Sequence, residues 1–333
     1  MSPSRVVLFL TLLLGLTGPL SAQEPALFED PADYPLMGDW TGRMTNPKGW
    51  PDTPHPELSA QILPTKDGEY KVVFVNDLYR RAQPLAEFIV PSDGQKISID
   101  QGGWKVTFIA GQPAEGVVMR GNHPTNFLLE KSEWSPPTQG LAPPDGAVIL
   151  FDGHSTDAWQ HRPDRASTWV IKNGIMETVG QGWNKGQNRK DRLGGDLFSK
   201  DKFGSLQFHM EFRYPVEAEK LGQGRGNSGL FFLPLPELQI LNSYTTLGFY
   251  DEAGSMYRHL PAKVNAAGPP LVWQTYDVTI EFTGQGVALV SAKLNGQLIH
   301  NQVEVSTSET EVGLKLQDHG NRLQWRNIWI KEL

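Results

Sequence analysis

From Leu206 to Tyr214 large apolar side chains take every second position, Leu206, Phe208, Met210, Phe212 and Tyr214, with Gln207, His209, Glu211 and Arg213 between them. A period of two puts the first set on one side of an extended strand and the second on the other, so one face enters a core and the other meets solvent or a ligand. Turn chemistry agrees: Asn173-Gly174 and Asn295-Gly296 are each flanked by short apolar runs, the favoured two-residue hairpin signal. With 34 Gly, 25 Pro and few stretches of helical period, the rest reads the same way, as many short strands joined by turns. The expected fold class is all-β.

The chain divides by composition. Residues 1–22 carry one charge, Arg5, followed by an apolar run from Val6 to Leu16 and a Leu20-Ser21-Ala22 exit, which predicts a secretory signal peptide and an exported, periplasmic or secreted protein. That run is too short to span a bilayer as a helix, and no later stretch approaches the required length, so no transmembrane segment is expected in the mature protein. The chain has no cysteine, which leaves neither disulfides nor a site for a lipoprotein anchor, and stability must come from burial. Residues 23–36 read as a Pro-rich, acidic, flexible leader.

Over 37–131 strand-like runs recur about every ten residues: 60–63, 70–75, 86–90, 96–99, 103–109, 116–120 and 126–130. They predict a small β-rich domain, a barrel or sandwich, without evident chemistry. The stretch 132–146, with Pro136-Pro137 and Pro143-Pro144, holds little that packs and reads as a semi-rigid linker. Beyond it, over 147–333, about a dozen further strands are expected, enough for a two-sheet sandwich of jelly-roll type.

Six motifs stand in order in this second region: AVILFDGHSTDAW (147 to 159), GNSG (226 to 229), ELQILNSY (237 to 244), WQTYDV (273 to 278), LNGQLIH (294 to 300) and LQDHGNRLQWRNIWI (316 to 330). The set resembles the 3-keto-disaccharide hydrolase family over about 146–333. That resemblance implies a concanavalin-like jelly roll and cleavage of glycosides already oxidised to a ketone at sugar carbon 3. Similar family members read Asp where this chain has Asn242, and an amide supplies neither a base nor a negative charge.

A ketone at carbon 3 acidifies the hydrogen on carbon 2 and places the glycosidic oxygen β to the carbonyl. Elimination then needs a base at carbon 2, a positive or hydrogen-bonding group at the enolate oxygen, and an acid for the leaving group. Glu237 and Gln239, two apart on a strand, share a face and offer a base and a donor–acceptor for sugar hydroxyls, or a solvated sheet face. His209 and Glu211 share the polar face of their strand as an acid–base pair, or as ordinary outward polar residues. His319 lies in Asp318-His319-Gly320-Asn321, a turn by composition. The motif favours a site role for it, with Asp318 orienting the ring or binding sugar.

Asn227, in Gly226-Asn227-Ser228-Gly229, is a candidate hydroxyl binder or part of a β-bulge or tight bend; Asn242 is a further candidate hydroxyl binder, and Tyr257 and Trp273 are candidate stacking platforms for a pyranose. Trp325 and Trp329 read as core. The basic stretch 181–192 (QGWNKGQNRKDR) reads as a surface loop whose lysines meet an enolate or simply solvent.

Histidine spacing supports no zinc site, and oxygen ligands from loops leave Ca²⁺ or Mg²⁺ open. Without Arg5, 29 basic against 37 acidic residues give a net charge of −8 that attracts no nucleic acid. The expected partner is a carbohydrate, as a keto-glycoside that is cleaved or, alternatively, as a glycan held by a non-catalytic, lectin-like module of the cell envelope.

Overall fold

The computed structural model describes residues 28–45, 57–66, 68–79, 83–161, 169–178 and 195–333. The expected signal peptide and the basic stretch 181–192 lie outside these residues. Apart from single 3-10 turns at Pro31–Asp33 and Gly222–Gly224, the described chain is strand, turn and loop.

The first sheet contains β1 (Gly38–Thr45), β2 (Glu57–Lys66), β3 (Glu69–Val75), β4 (Ala86–Pro91), β5 (Lys96–Gln101), β6 (Trp104–Ile109), β7 (Ala114–Arg120) and β8 (His123–Lys131). Its order, β4-β3-β2-β1-β8-β7-β6-β5, is antiparallel throughout, and a bridge from Ser92 to Ile97 brings the two ends of the order together. The sheet therefore curls around one core, barrel-like. Aromatic rings fill it: Phe74 stacks on Trp104 at 4.2 Å and Trp40 meets Phe108 edge-on at 5.1 Å. Pairs of this kind are worth roughly 0.5–1.5 kcal/mol beyond the area they bury.

The remaining strands form two sheets face to face. One runs β10 (Trp159–His161), β13 (Leu197–Phe203), β20 (Val312–Leu316), β15 (Ser228–Leu233), β16 (Leu238–Ile240). The other runs β11 (Trp169–Lys172), β12 (Ile175–Thr178), β21 (Gln324–Glu332), β14 (Leu206–Arg213), β17 (Gln274–Phe282), β18 (Val287–Leu294), β19 (Gln297–Ser306), with β9 (Val148–Phe151) also on β21. Asn173-Gly174 joins β11 to β12 and Asn295-Gly296 joins β18 to β19, each with both residues at positive φ as a type I′ turn requires. Leu206, Phe208, Met210 and Phe212 of β14 meet Leu230 and Phe232 of β15 and Leu314 and Leu316 of β20 in the shared core. Alternation thus sends the intervening residues of each sheet outward, on opposite sides of the sandwich.

The Pro-rich segment does not hang free as a linker reading implies. Trp134 Nε1 donates to Trp273 O at 2.8 Å, Thr138 Oγ1 donates to Asp277 Oδ2 at 2.6 Å, and Gly140 N donates to Glu211 Oε1 at 2.6 Å. Residues 134–141 form a strap across the outer face of β14, β17 and β21. A second tie joins the curled sheet to the sandwich, where Tyr244 Oη donates to Asp39 Oδ1 at 2.6 Å amid Met37, Leu63, Val216 and Leu271.

Candidate functional site

The outer face of the five-stranded sheet carries a compact set of polar groups. In the β15–β16 register Gly229 opposes Gln239, and in the β15–β20 register Phe231 opposes Lys315. Glu237, two residues before Gln239, leans over Gly229: a Cβ built there would lie 1.9 Å from Glu237 Oε1, so only glycine leaves room for the carboxyl. Lys315 Nζ sits 3.3 Å from the centroid of the Phe231 ring and 3.5 Å from Asp196 Oδ2.

Burial pushes the Glu237 carboxyl up to about 7; the charge of Lys315 pulls it down and that of Asp196 pushes it up again. A carboxyl so tuned exchanges protons near neutrality. His319 follows Asp318, whose backbone N–H donates to Asp196 Oδ1 at 3.0 Å. Burial lowers the His319 pKa against the opposing pulls of Asn321, Asp318 and Asp196, so its imidazole is mostly neutral at pH 7. Asp318 accepts from Gly195 N and Gly320 N, which fixes the turn that carries the ring.

Deeper on the same face lies an amide network. Asn227 Nδ2 donates to Gln223 O at 2.7 Å and to Gln223 Oε1 at 3.0 Å, and Gln239 Nε2 donates to Gln223 Oε1 at 3.1 Å. Gln239 Oε1 and Asn242 Oδ1 are buried with no partner among the described residues, two acceptors suited to hydroxyl donors. Tyr257 is half-buried next to this set: its N–H donates to Glu237 O at 2.8 Å, and Arg258 lies over its ring.

His209 and Glu211 project from the other sheet, across the whole core from Glu237, and the structure corrects the reading of them as a ligand-facing acid–base pair. Both are fully buried, at 0 % exposure, beneath the strap. Glu211 accepts from Arg326 Nε at 2.7 Å, Asn327 Nδ2 at 3.0 Å and Gly140 N at 2.6 Å, and His209 Nδ1 lies 2.7 Å from Asp277 Oδ1. Burial alone would raise the Glu211 carboxyl, but these donors together with His209 hold it at about 2. Burial likewise opposes a charge on His209, and Asp277 and Glu211 override it and raise its pKa. Glu211 is saturated, whereas His209 Nε2, 3.7 Å from Glu211 Oε1, has no hydrogen-bond partner among the described residues; both lie beneath the strap and away from solvent.

Trp273 is also on that side, between the guanidiniums of Arg213 and Arg326 at 4.8 and 4.1 Å, so it is not a platform beside Glu237. Trp325 is core as expected; Trp329 is buried but stacks on His209 at 5.3 Å, on the strap side rather than in the sandwich interior.

Lys315 and Asp196 escaped the sequence reading. The signal was present for Lys315: Val312, Leu314 and Leu316 alternate with Gly313, Lys315 and Gln317, which puts a lysine on the outward face two residues before the Gln-Asp-His motif. Among the described residues no group of three or more His, Asp or Glu side chains is placed to hold a metal ion. No helix among them is long and apolar enough to cross a membrane.

The jelly-roll sandwich thus gathers a carboxyl, a lysine and a bed of amides on one sheet face. Residues 146–331 match the 3-keto-alpha-glucoside-1,2-lyase-like domain, and the chain belongs to that family. It is similar to a candidate glycosyl hydrolase from Parabacteroides distasonis, with 28% identity over 57% of this chain and 85% of that one and a TM-score of 0.48. A second candidate glycosyl hydrolase from the same organism is 17% identical over 56% and 94% of the two chains, with a TM-score of 0.42. A β-glucanase from Bacillus licheniformis is 11% identical over 57% of this chain and 100% of its own, with a TM-score of 0.34. No curated protein matches the chain.

Proposed function

We propose that this protein cleaves 3-keto-glycosides by elimination followed by hydration, on the outer face of the five-stranded sheet. The observation that carries the reading is Glu237, held over Gly229 beside Lys315, with a proton that exchanges near neutral pH. Glu237 removes the proton on carbon 2, and the electron pair moves toward carbon 3 to give an enolate. Lys315 stabilises the enolate oxygen. The carbonyl then re-forms, a carbon 1–carbon 2 double bond appears and the glycosidic bond breaks, while a water ordered by the neutral His319 returns a proton to the departing oxygen. Water adds across the double bond, hydroxyl at carbon 1 and hydrogen at carbon 2, to release the free 3-keto sugar. Gln239, Asn227 and Asn242 bind hydroxyls of the ring.

Incubation of the purified protein with a 3-keto-disaccharide, followed by chromatography of the released sugar, tests the proposal. Release by the wild type and its loss in Glu237→Gln are expected. Micromolar binding of unmodified glycan with no turnover of any 3-keto substrate favours the lectin-like alternative instead. Export belongs to the same proposal and is tested by fractionating cells that express the full chain: signal over 1–22 removed and protein outside the cytoplasm.

A further inference from the structure

Two loops border the amide network, and both present large apolar side chains to solvent. Leu221 is 83% exposed, and Phe249 and Tyr250 are each 53% exposed. The loops are stitched together, since Gln223 Nε2 donates to Asp251 O at 2.6 Å while Gln223 Oε1 accepts from Gln239 and Asn227. Tyr250 O accepts from Arg258 N at 2.8 Å, and the next residue along, Tyr257, donates its N–H to Glu237 O. The aromatic pair thus lies one residue from the carbonyl against which Gln239 rests, on the rim of the Glu237 face.

The turn that carries the pair is hydrogen-bonded to itself. Glu252 N donates to Phe249 O at 3.2 Å, and the Glu252 carboxylate accepts from Phe249 N at 3.1 Å and Thr246 Oγ1 at 2.7 Å, closing a tight turn. Exposed rings on a pinned turn beside a polar site are suited to stacking a flat apolar face. The polar groups needed by the keto sugar lie deeper, at Glu237, Gln239 and Asn227, so the rim falls to the other half of the glycoside.

We infer that Leu221, Phe249 and Tyr250 form the leaving-group platform of this site, selecting glycosides whose aglycone offers a flat apolar face. That face belongs either to an aromatic ring or to the C–H side of a second pyranose. The inference rests on the proposed elimination for its turnover readout and on geometry alone for its binding readout.

The experiment compares wild type with Phe249→Ala/Tyr250→Ala and with Leu221→Ala on three substrates: phenyl, glucosyl and methyl 3-keto-α-glucosides. Each rate is taken relative to wild type on the same substrate, and melting temperature serves as the folding control. The double variant is expected to raise KM about tenfold on the phenyl substrate, with the methyl substrate within about twofold. A parallel rise on the glucosyl substrate adds the pyranose face as an occupant, and its absence restricts the platform to aromatic aglycones. Equal losses on all three substrates, or no change on any, overturn the inference. If the wild type turns over none of them, the elimination has failed rather than the platform, and calorimetry with phenyl and methyl α-glucosides decides. Phenyl binding at least fivefold tighter, lost in the double variant, upholds the platform, and equal binding overturns it.

Discussion

Glu211 and Glu237 are the same residue type on the two outer faces of one sandwich, and their surroundings drive them apart. Glu211 has no exposure and a full set of donors, and its carboxyl sits at about 2; Glu237 is half-buried with Lys315, among the described residues, as its balancing charge and sits at about 7. Burial raises both. What separates them is the pull of His209 and hydrogen bonding from β21 and the strap, supplied to Glu211 and, among the described residues, not to Glu237. Burial with saturation makes a structural carboxylate, and burial without it makes a proton carrier.

The sharpest way to break that contrast is to remove one charge at a time. Glu237→Gln keeps shape and hydrogen bonding, and turnover is expected to fall by about two to four orders of magnitude. Melting temperature should hold at pH 4 and rise slightly at pH 8. A folded pKa of about 7 above an ordinary 4.5 means that ionising Glu237 opposes folding, a cost that grows from pH 4.5 to about 7 and stays constant above it. Steady-state rates and melting curves on one preparation check both; a fully active variant removes Glu237 from the site.

Glu211→Ala should show the reverse balance. It leaves Arg326, Asn327 and the Gly140 N–H without their acceptor, and breaking such a buried set costs about 3–5 kcal/mol, read by urea unfolding. Turnover per folded molecule should stay within a few-fold, and a hundredfold loss there would return Glu211 to the catalytic set.

The pH dependence of wild-type stability carries the same mark. Glu211, depressed to about 2 from 4.5, contributes stability that is fully present above about pH 4.5 and lost as pH falls through about 2. His209, raised above 6.5, contributes below that value and loses its contribution as pH rises through its folded pKa. Urea midpoints in Glu211→Gln should therefore lose most of their fall between pH 4.5 and 2, whereas those of Glu237→Gln keep it.

Sequence reading recovered what depends on neighbours in the chain. Period-two alternation located β14, the two Asn-Gly turns located their hairpins, and the two-residue spacing put Glu237 and Gln239 on one face. It missed β1, where Gly38, Asp39, Gly42 and Arg43 break the strand pattern. Gly42 is there because β8 passes so close that a Cβ would lie 1.8 Å from Leu128 O, a cause 86 residues away. It missed β13 because Ser199, Lys200, Asp201 and Lys202 dilute the apolar signal. His209 and Glu211 were legible as an outward pair but not as a buried one, since their cover comes from a Pro-rich stretch about 70 residues upstream that carries no periodic pattern. Lys315 and Asp196 belong with Glu237 only through strand pairing, which periodicity does not encode.

The smallest expected effect sharpens the Glu237 side of the comparison. Asp196 pushes the Glu237 carboxyl up by like charge and also engages Lys315, whose own pull is downward. Asp196→Asn removes the negative charge, keeps an oxygen for the Asp318 N–H, and leaves Lys315 with its charge unshared. The loss of the like charge and the release of Lys315 both favour the ionised base, so the acidic limb of kcat/KM against pH should move below its wild-type midpoint near 7, with the plateau rate changed only a few-fold. Lys315→Met should move the same limb upward and lower the plateau, because it removes the opposing charge together with the group that meets the enolate. Opposite displacements from two charges on either side of one carboxyl identify that carboxyl as the titrating base. Displacements in the same direction, or none, assign the limb to another group, and His319, with its lowered pKa and its charge interaction with the same aspartate, is the next to test.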